Sequence, residues 1–289
     1  MALALSGAFF YGFNITFAKI SAEMGVSGPM LVTGRVLVMI ILALGVGYLM
    51  RASFRVPRDN IGAMILLGLG STGVSICYLS SVAFIPITVA AVIFYTFPIL
   101  IVLAAPFVDK KKITPALAFV VALAFIGVVL VLGMTSGDLD YRGILLATGA
   151  SLSAAMQFFA GTRCRGASTA STLMWTQVIV LPFAAGAMHL TGTFAPIATF
   201  VAASTPVWLT IGGFVLGYGF QILALARISA SVAGLAFCLE PVVAALTSAI
   251  VLGERLAPIQ YFGGALVIAA IIATVALERR EQARASQGR

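Results

Sequence analysis

Apolar runs long enough to cross a lipid bilayer recur ten times along this chain, separated by charges or turn residues. About 20 consecutive apolar residues span the hydrocarbon core as a helix. Every backbone donor and acceptor in that medium must be satisfied within the segment. The expected fold is therefore an all-α membrane protein with ten transmembrane helices. The runs place the spans near 2–20, 29–50, 61–83, 87–108, 114–134, 143–161, 169–190, 206–226, 230–252 and 258–277. Composition agrees, with 61% of 289 residues hydrophobic and 9% charged, against about 25% charged in a soluble domain. The first run continues into Lys19 without a short h-region and small-residue cleavage site, so no cleavable signal peptide is expected.

The net charge is +8, but it does not point to nucleic acid, because the basic residues sit at segment ends and not on one face. With ten spans both termini share a side. That side holds Arg51, Arg55, Arg58, Lys110, Lys111, Lys112, Arg163, Arg165, Arg227, Arg279, Arg280, Arg284 and Arg289, and the other holds Lys19, Arg142 and Arg255. The positive-inside rule then puts both termini in the cytoplasm. Cys77, Cys164 and Cys238 are odd in number and far apart, which supports neither a disulfide framework nor a metal motif.

Glu240-Pro241 lies near the middle of the ninth run, and Glu240 is the only formal charge between Ser231 and Leu252. An ionised carboxylate at that depth costs about 2.5 kcal/mol or more, so it belongs to a protein- or water-lined interior. Pro241 removes a backbone donor beside it. Moving this stretch back by 143 positions lays Ile228, Val232, Ala233, Phe237, Pro241 and Pro258 on Ile85, Val89, Ala90, Phe94, Pro98 and Pro115, with Glu240 on Phe97. The chain therefore reads as a repeat: residues 1–138 and 139–277, followed by a polar cytoplasmic tail, 278–289. Five spans per copy is an odd number, so the two copies enter the membrane in opposite directions. Inverted repeats of this kind are a transporter architecture with a site near the midplane.

Leu239-Glu240-Pro241, Leu252-Gly253-Glu254-Arg255 and Gly263-Gly264 resemble the second repeat of EamA-type members of the drug/metabolite transporter superfamily. Tyr11-Gly12 through Lys19, and Arg35 in the second span, fit the first repeat. The resemblance covers nearly the whole chain. It departs at Asp109-Lys-Lys-Lys112, where the second copy has Gly-Glu-Arg, and at Tyr11-Gly12, where the family often carries Trp. It implies a secondary transporter in a bacterial inner membrane, commonly an exporter of amino acids or related metabolites. Within the superfamily the chain looks most similar to the YddG-like exporters of aromatic amino acids, which also pass flat aromatic cations.

Polar side chains inside apolar spans are the candidates for handling a substrate, because each needs a partner or water. Asn14 and Gln157 are related by the repeat, and their amides either hold a substrate across the pseudo-axis or join two helices. Tyr78 and Gln221 are also repeat-related, and Tyr95 matches Cys238. A tyrosine offers a ring for stacking and a hydroxyl for orientation, which suits an aromatic amino acid, although such rings also serve as ordinary core. Glu240 has three open readings: a counter-ion for a cationic substrate group, a proton-coupling site, or a structural partner. Arg35 either snorkels to the interface or draws carboxylates inward. Pro98 and Pro241 are the related weak points at which the helices gate or hinge.

No Gly-Lys-Ser/Thr phosphate loop, His-Glu-x-x-His or Gly-x-Ser-x-Gly occurs, so neither an ATP-driven pump nor an intramembrane hydrolase is expected. No cofactor is called for. The expected function is export of small metabolites, aromatic amino acids first, by alternating access through the lipid bilayer. The alternatives are the same fold carrying a purine, another amino acid or an aromatic cationic drug, and a channel-like facilitator. Glu240 is compatible both with proton coupling and with facilitated efflux.

Overall fold

Thirteen helices follow one another in the computed structural model, which describes residues 1–110, 113–133 and 139–287, the last ten and residue 197 by backbone alone. They are α1 (Ala2–Glu23), α2 (Gly28–Leu49), α3 (Arg58–Ser81), α4 (Ile87–Phe94), α5 (Phe97–Val108), α6 (Pro115–Leu132) and α7 (Tyr141–Arg163). They continue as α8 (Thr169–Leu190), α9 (Ile197–Ala202), α10 (Ser204–Leu225), α11 (Ala230–Phe237), α12 (Leu239–Leu252) and α13 (Pro258–Gln287). No strand occurs among the described residues. Ten spans of 18 to 24 residues are long and apolar enough to cross a membrane, and they fall where the apolar runs place them. The Lys111 and Lys112 side chains, the junction at 134–138 and the charges of the tail lie outside the described residues. The tail backbone itself continues α13 as helix to Gln287.

Two spans are not single helices. The fourth divides into α4 and α5 around Tyr95 and Thr96, and the ninth divides into α11 and α12 at Cys238. At both places the chain tightens into an i→i−3 turn, Thr96 N to Ile93 O at 3.1 Å and Cys238 N to Leu235 O at 3.2 Å. Pro98 and Pro241 then sit in the first turn of the second half. A proline there lacks only an N–H that has no helical partner anyway, so the break ahead of it relieves the conflict a mid-helix proline creates. One element was not expected at all: α9 in the connection between the seventh and eighth spans.

Helix α1 lies along α10, and α3 lies along α7; α2 packs on α8 and α6 on α13. A shift of 143 positions carries α1 onto α7 and α3 onto α10, so the first two pairings exchange. Both depend on a missing side chain. A Cβ on Gly70 would stand 2.9 Å from the Ser153 carbonyl oxygen and 3.0 Å from the Gln157 backbone nitrogen. One on Gly213 would stand 3.1 Å from the Phe10 carbonyl oxygen and 3.0 Å from the Asn14 Cβ. Small residues that let backbones approach this closely are the common currency of helix contacts in lipid.

Candidate functional site

A cavity of about 110 Å³ lies among α1, α2, α3, α4, α5, α7, α8, α10, α11 and α12. Its floor is a chain of hydrogen bonds between side chains from four helices. The Tyr11 hydroxyl donates to Gln221 Oε1 at 3.1 Å, Gln221 Nε2 donates to Gln157 Oε1 at 3.2 Å, and Gln157 Nε2 donates to Ser71 Oγ at 2.7 Å. Ser71 donates in turn to the Leu67 carbonyl at 2.8 Å, which leaves its oxygen free to accept from the Tyr218 hydroxyl at 3.3 Å. Each polar group is thereby satisfied inside an apolar bundle, where an unpaired one costs several kcal/mol, roughly.

Aromatic rings form the wall. Contacts run from Tyr78 to Phe94 (5.3 Å between centroids), Phe94 to Phe97 (5.4 Å), Phe97 to Phe158 (5.2 Å) and Phe158 to Phe237 (5.2 Å). They continue through Tyr11 to Phe214 and Tyr218. The Arg35 guanidinium closes the series, 4.2 Å over the Phe214 ring. Glu240, in the first turn of α12, lines the same cavity.

Three of the six expected binding residues, Gln157, Gln221 and Glu240, meet at this cavity. The other three stand outside its lining. The Asn14 side chain accepts from Thr210 Oγ1 at 2.9 Å, so its amide joins α1 to α10 and does not face Gln157. Tyr95 is buried beside Glu240, and Tyr78 backs onto Phe94. At the turn that divides α4 from α5, Phe94 and Phe97 line the cavity and Tyr95 packs behind them, in ring contact with both. Pro98 and Pro241 flank the site at the two helix breaks.

Ser75 and Val180 belong both to this cavity and to a wider one of about 470 Å³, between the start of α2 and the ends of α3 and α8. At the opposite ends of α3 and α8 the bundle is tied shut. Asn60 Nδ2 donates to the Arg163 carbonyl at 2.6 Å, Ser168 Oγ to the Ser53 carbonyl at 2.7 Å, and Trp175 Nε1 to the Phe54 carbonyl at 3.0 Å. Arg163 Nη2 reaches the Val108 carbonyl at 2.8 Å and Asp109 at 3.1 Å, and Arg165 Nη2 reaches the Ile228 carbonyl at 3.0 Å. These carbonyls lie at or just past helix C-termini, where unpaired oxygens and the helix dipole both favour a cation.

The sequence pattern of the EamA-like transporter family matches residues 1–133 and 141–276. The chain belongs to the EamA-like transporter family. It is a multi-pass membrane transporter, in a family of transporters and not of enzymes. The threonine/homoserine exporter RhtA of Escherichia coli K12 is 25% identical over 236 residues, 78% of this chain and 75% of RhtA. RhtA of Salmonella typhimurium LT2 is 26% identical over 237 residues, with the same coverage. These relatives export small hydroxylated amino acids, so the likeness to amino acid exporters holds while the narrower likeness to aromatic exporters gains nothing from them. A crystal structure of a protein 18% identical shares the fold, with a TM-score of 0.80 over 96% of this chain and 98% of the other.

Within this EamA-like transporter, Tyr11, Ser71, Tyr218 and Gln177 also line the cavity, and none of them was singled out as a binding residue from the sequence. Hydroxyls of serine and tyrosine are common in apolar helices and carry little signal alone. Gln177 carried more: it is an amide in the middle of the seventh run, comparable to Gln157 and Gln221.

Proposed function

We propose that this protein exports amino acids across a bacterial inner membrane by alternating access, its two halves acting as inverted five-helix repeats with both termini cytoplasmic. The observation that carries the reading is the asymmetry around the central cavity. It joins a wider cavity toward one end of α3 and α8, while hydrogen bonds bind the loops at the other end. On the charge-based topology the joined end faces outward and the tied end faces the cytoplasm. This is the arrangement of a transporter caught open to one side. The exchange of packing partners between α1–α10 and α3–α7 supports the repeat, as do the two successive family matches and the paired breaks ahead of Pro98 and Pro241.

The ring-lined wall favours an aromatic amino acid, as YddG-like exporters carry. A second reading, a small hydroxylated amino acid, is favoured by the RhtA relatives and by cavity size. At about 110 Å³ the site is below the roughly 150 Å³ cavity that admits benzene. In both readings Glu240 takes the substrate's ammonium group or exchanges protons, and the Tyr11–Gln221–Gln157–Ser71 chain offers donors and acceptors to the rest.

The test is counterflow in liposomes containing the purified protein, with labelled threonine, homoserine, phenylalanine and tryptophan. Saturable exchange of at least one is expected, and competition ranks the two side-chain classes. Flux that neither saturates nor shows counterflow identifies a channel-like facilitator. Exchange of a purine or an aromatic cation with no amino acid discards the substrate class.

A further inference from the structure

We infer that Arg35 forms a carboxylate subsite of the central cavity, with the Gln177 oxygen as an acceptor in the same cavity for the substrate's donors, which makes a free α-carboxylate a requirement for transport; the inference rests on the amino acid exporter reading above. Both residues line the cavity, Arg35 from α2 and Gln177 from α8, two helices that pack on each other. Among the described residues, the buried side-chain atoms without a hydrogen-bond partner are Arg35 Nε, Gln177 Oε1 and Thr72 Oγ1. Two of the three therefore belong to this one cavity. Gln177 is 1% exposed, so bulk water does not serve it.

Arg35 also lacks a counter-ion. The ion pairs of the described residues are Lys19–Glu254, Arg142–Asp140 and Arg163–Asp109, and none involves Arg35 or Glu240. A guanidinium and a carboxyl thus share one cavity without pairing with each other. The Phe214 ring holds the guanidinium plane from one side, and the unpaired Nε–H remains. A planar fork of N–H donors matches a carboxylate with two parallel bonds. An α-amino acid completes the set: its carboxylate pairs with Arg35, its ammonium with Glu240. The Gln177 oxygen is an acceptor for the ammonium or for a side-chain hydroxyl. Purines and aromatic cationic drugs lack the carboxylate and leave Arg35 unpaired, so the site disfavours them.

The experiment uses the unaltered full-length protein in liposomes, with counterflow of labelled threonine or phenylalanine, whichever exchanges. Competitors are the same amino acid, its methyl ester, its amide, the decarboxylated amine and the 2-hydroxy acid. The ester, amide and amine should compete at least about tenfold more weakly than the parent, since a site built to bond a polar group rejects analogues without it. The 2-hydroxy acid should be weakened too, through Glu240. Arg35→Lys should raise KM less than Arg35→Gln does, with thermal unfolding of both near that of the parent. Equal competition by the ester and the parent overturns the subsite, as does an unchanged KM in Arg35→Gln. If no amino acid exchanges or shifts Tm, the exporter reading itself fails and the inference falls with it.

Discussion

Gln157 works as donor and acceptor at once, and its replacement tests how tightly the polar chain is built. Gln157→Leu strands the Gln221 amide N–H without an acceptor, at a cost of about 1–3 kcal/mol. Tyr11→Phe removes a single interhelical bond, worth about 0.6 kcal/mol in lipid-embedded bundles. Thermal unfolding in detergent should rank Gln157→Leu as the more damaging, and the reverse order would mean that the chain is not the organising contact. Glu240→Gln preserves shape and removes the charge. Losing one charge-assisted bond of about 1.5–3 kcal/mol weakens apparent substrate affinity by roughly ten- to a hundredfold. The variant should unfold no more easily than the parent, because a formal charge inside the bundle costs stability. Counterflow with an unchanged KM would assign Glu240 to structure alone.

Contacts between elements rest on two glycines 143 positions apart, Gly70 and Gly213. Gly70→Leu and Gly213→Leu each drive a side chain against a facing backbone less than 3.2 Å from where its Cβ would lie. Overpacking of this kind costs about 1–3 kcal/mol or more, and both variants should fall in Tm by similar amounts. At Gly212 and Gly219 a Cβ meets nothing within 4 Å, so alanine there should be nearly neutral. The tied end of the bundle makes a separate prediction. In a background free of Cys77, Cys164 and Cys238, the pair Ser53→Cys and Ser168→Cys should cross-link, block exchange and release it on reduction. Exchange unaffected by that lock would remove alternating access from the account. Arg163→Ala with Arg165→Ala should loosen the same end, seen as faster labelling of a cysteine there from the cytoplasmic side.

Across the whole molecule, thirteen basic residues against three predict by the positive-inside rule that both termini are cytoplasmic. A fluorescent reporter that folds only in the cytoplasm should be bright when fused after Arg289, and a phosphatase active only outside the inner membrane should be silent there. The opposite result would invert the outward and inward assignment of the two ends. The number of spans, their positions and the family were all legible in the chain, because each depends on local hydropathy and on residue spacing along one helix. Glu240, Gln157 and Gln221 were legible for a related reason: a polar group inside an apolar run must be accounted for wherever the run packs. The partners could not be read this way. Asn14 and Gln157 carry the same kind of amide 143 positions apart, yet one bonds Thr210 and the other bridges Ser71 and Gln221. Helix rotation and the side chains offered by α3 and α10 decide that difference. The divided fourth and ninth spans, the placing of Tyr95 behind the cavity wall and the unpaired Arg35 and Gln177 also arise only when eight spans converge. Hydropathy assigns a segment to the membrane; only packing decides which of its faces meets a neighbour, a lipid or an open cavity.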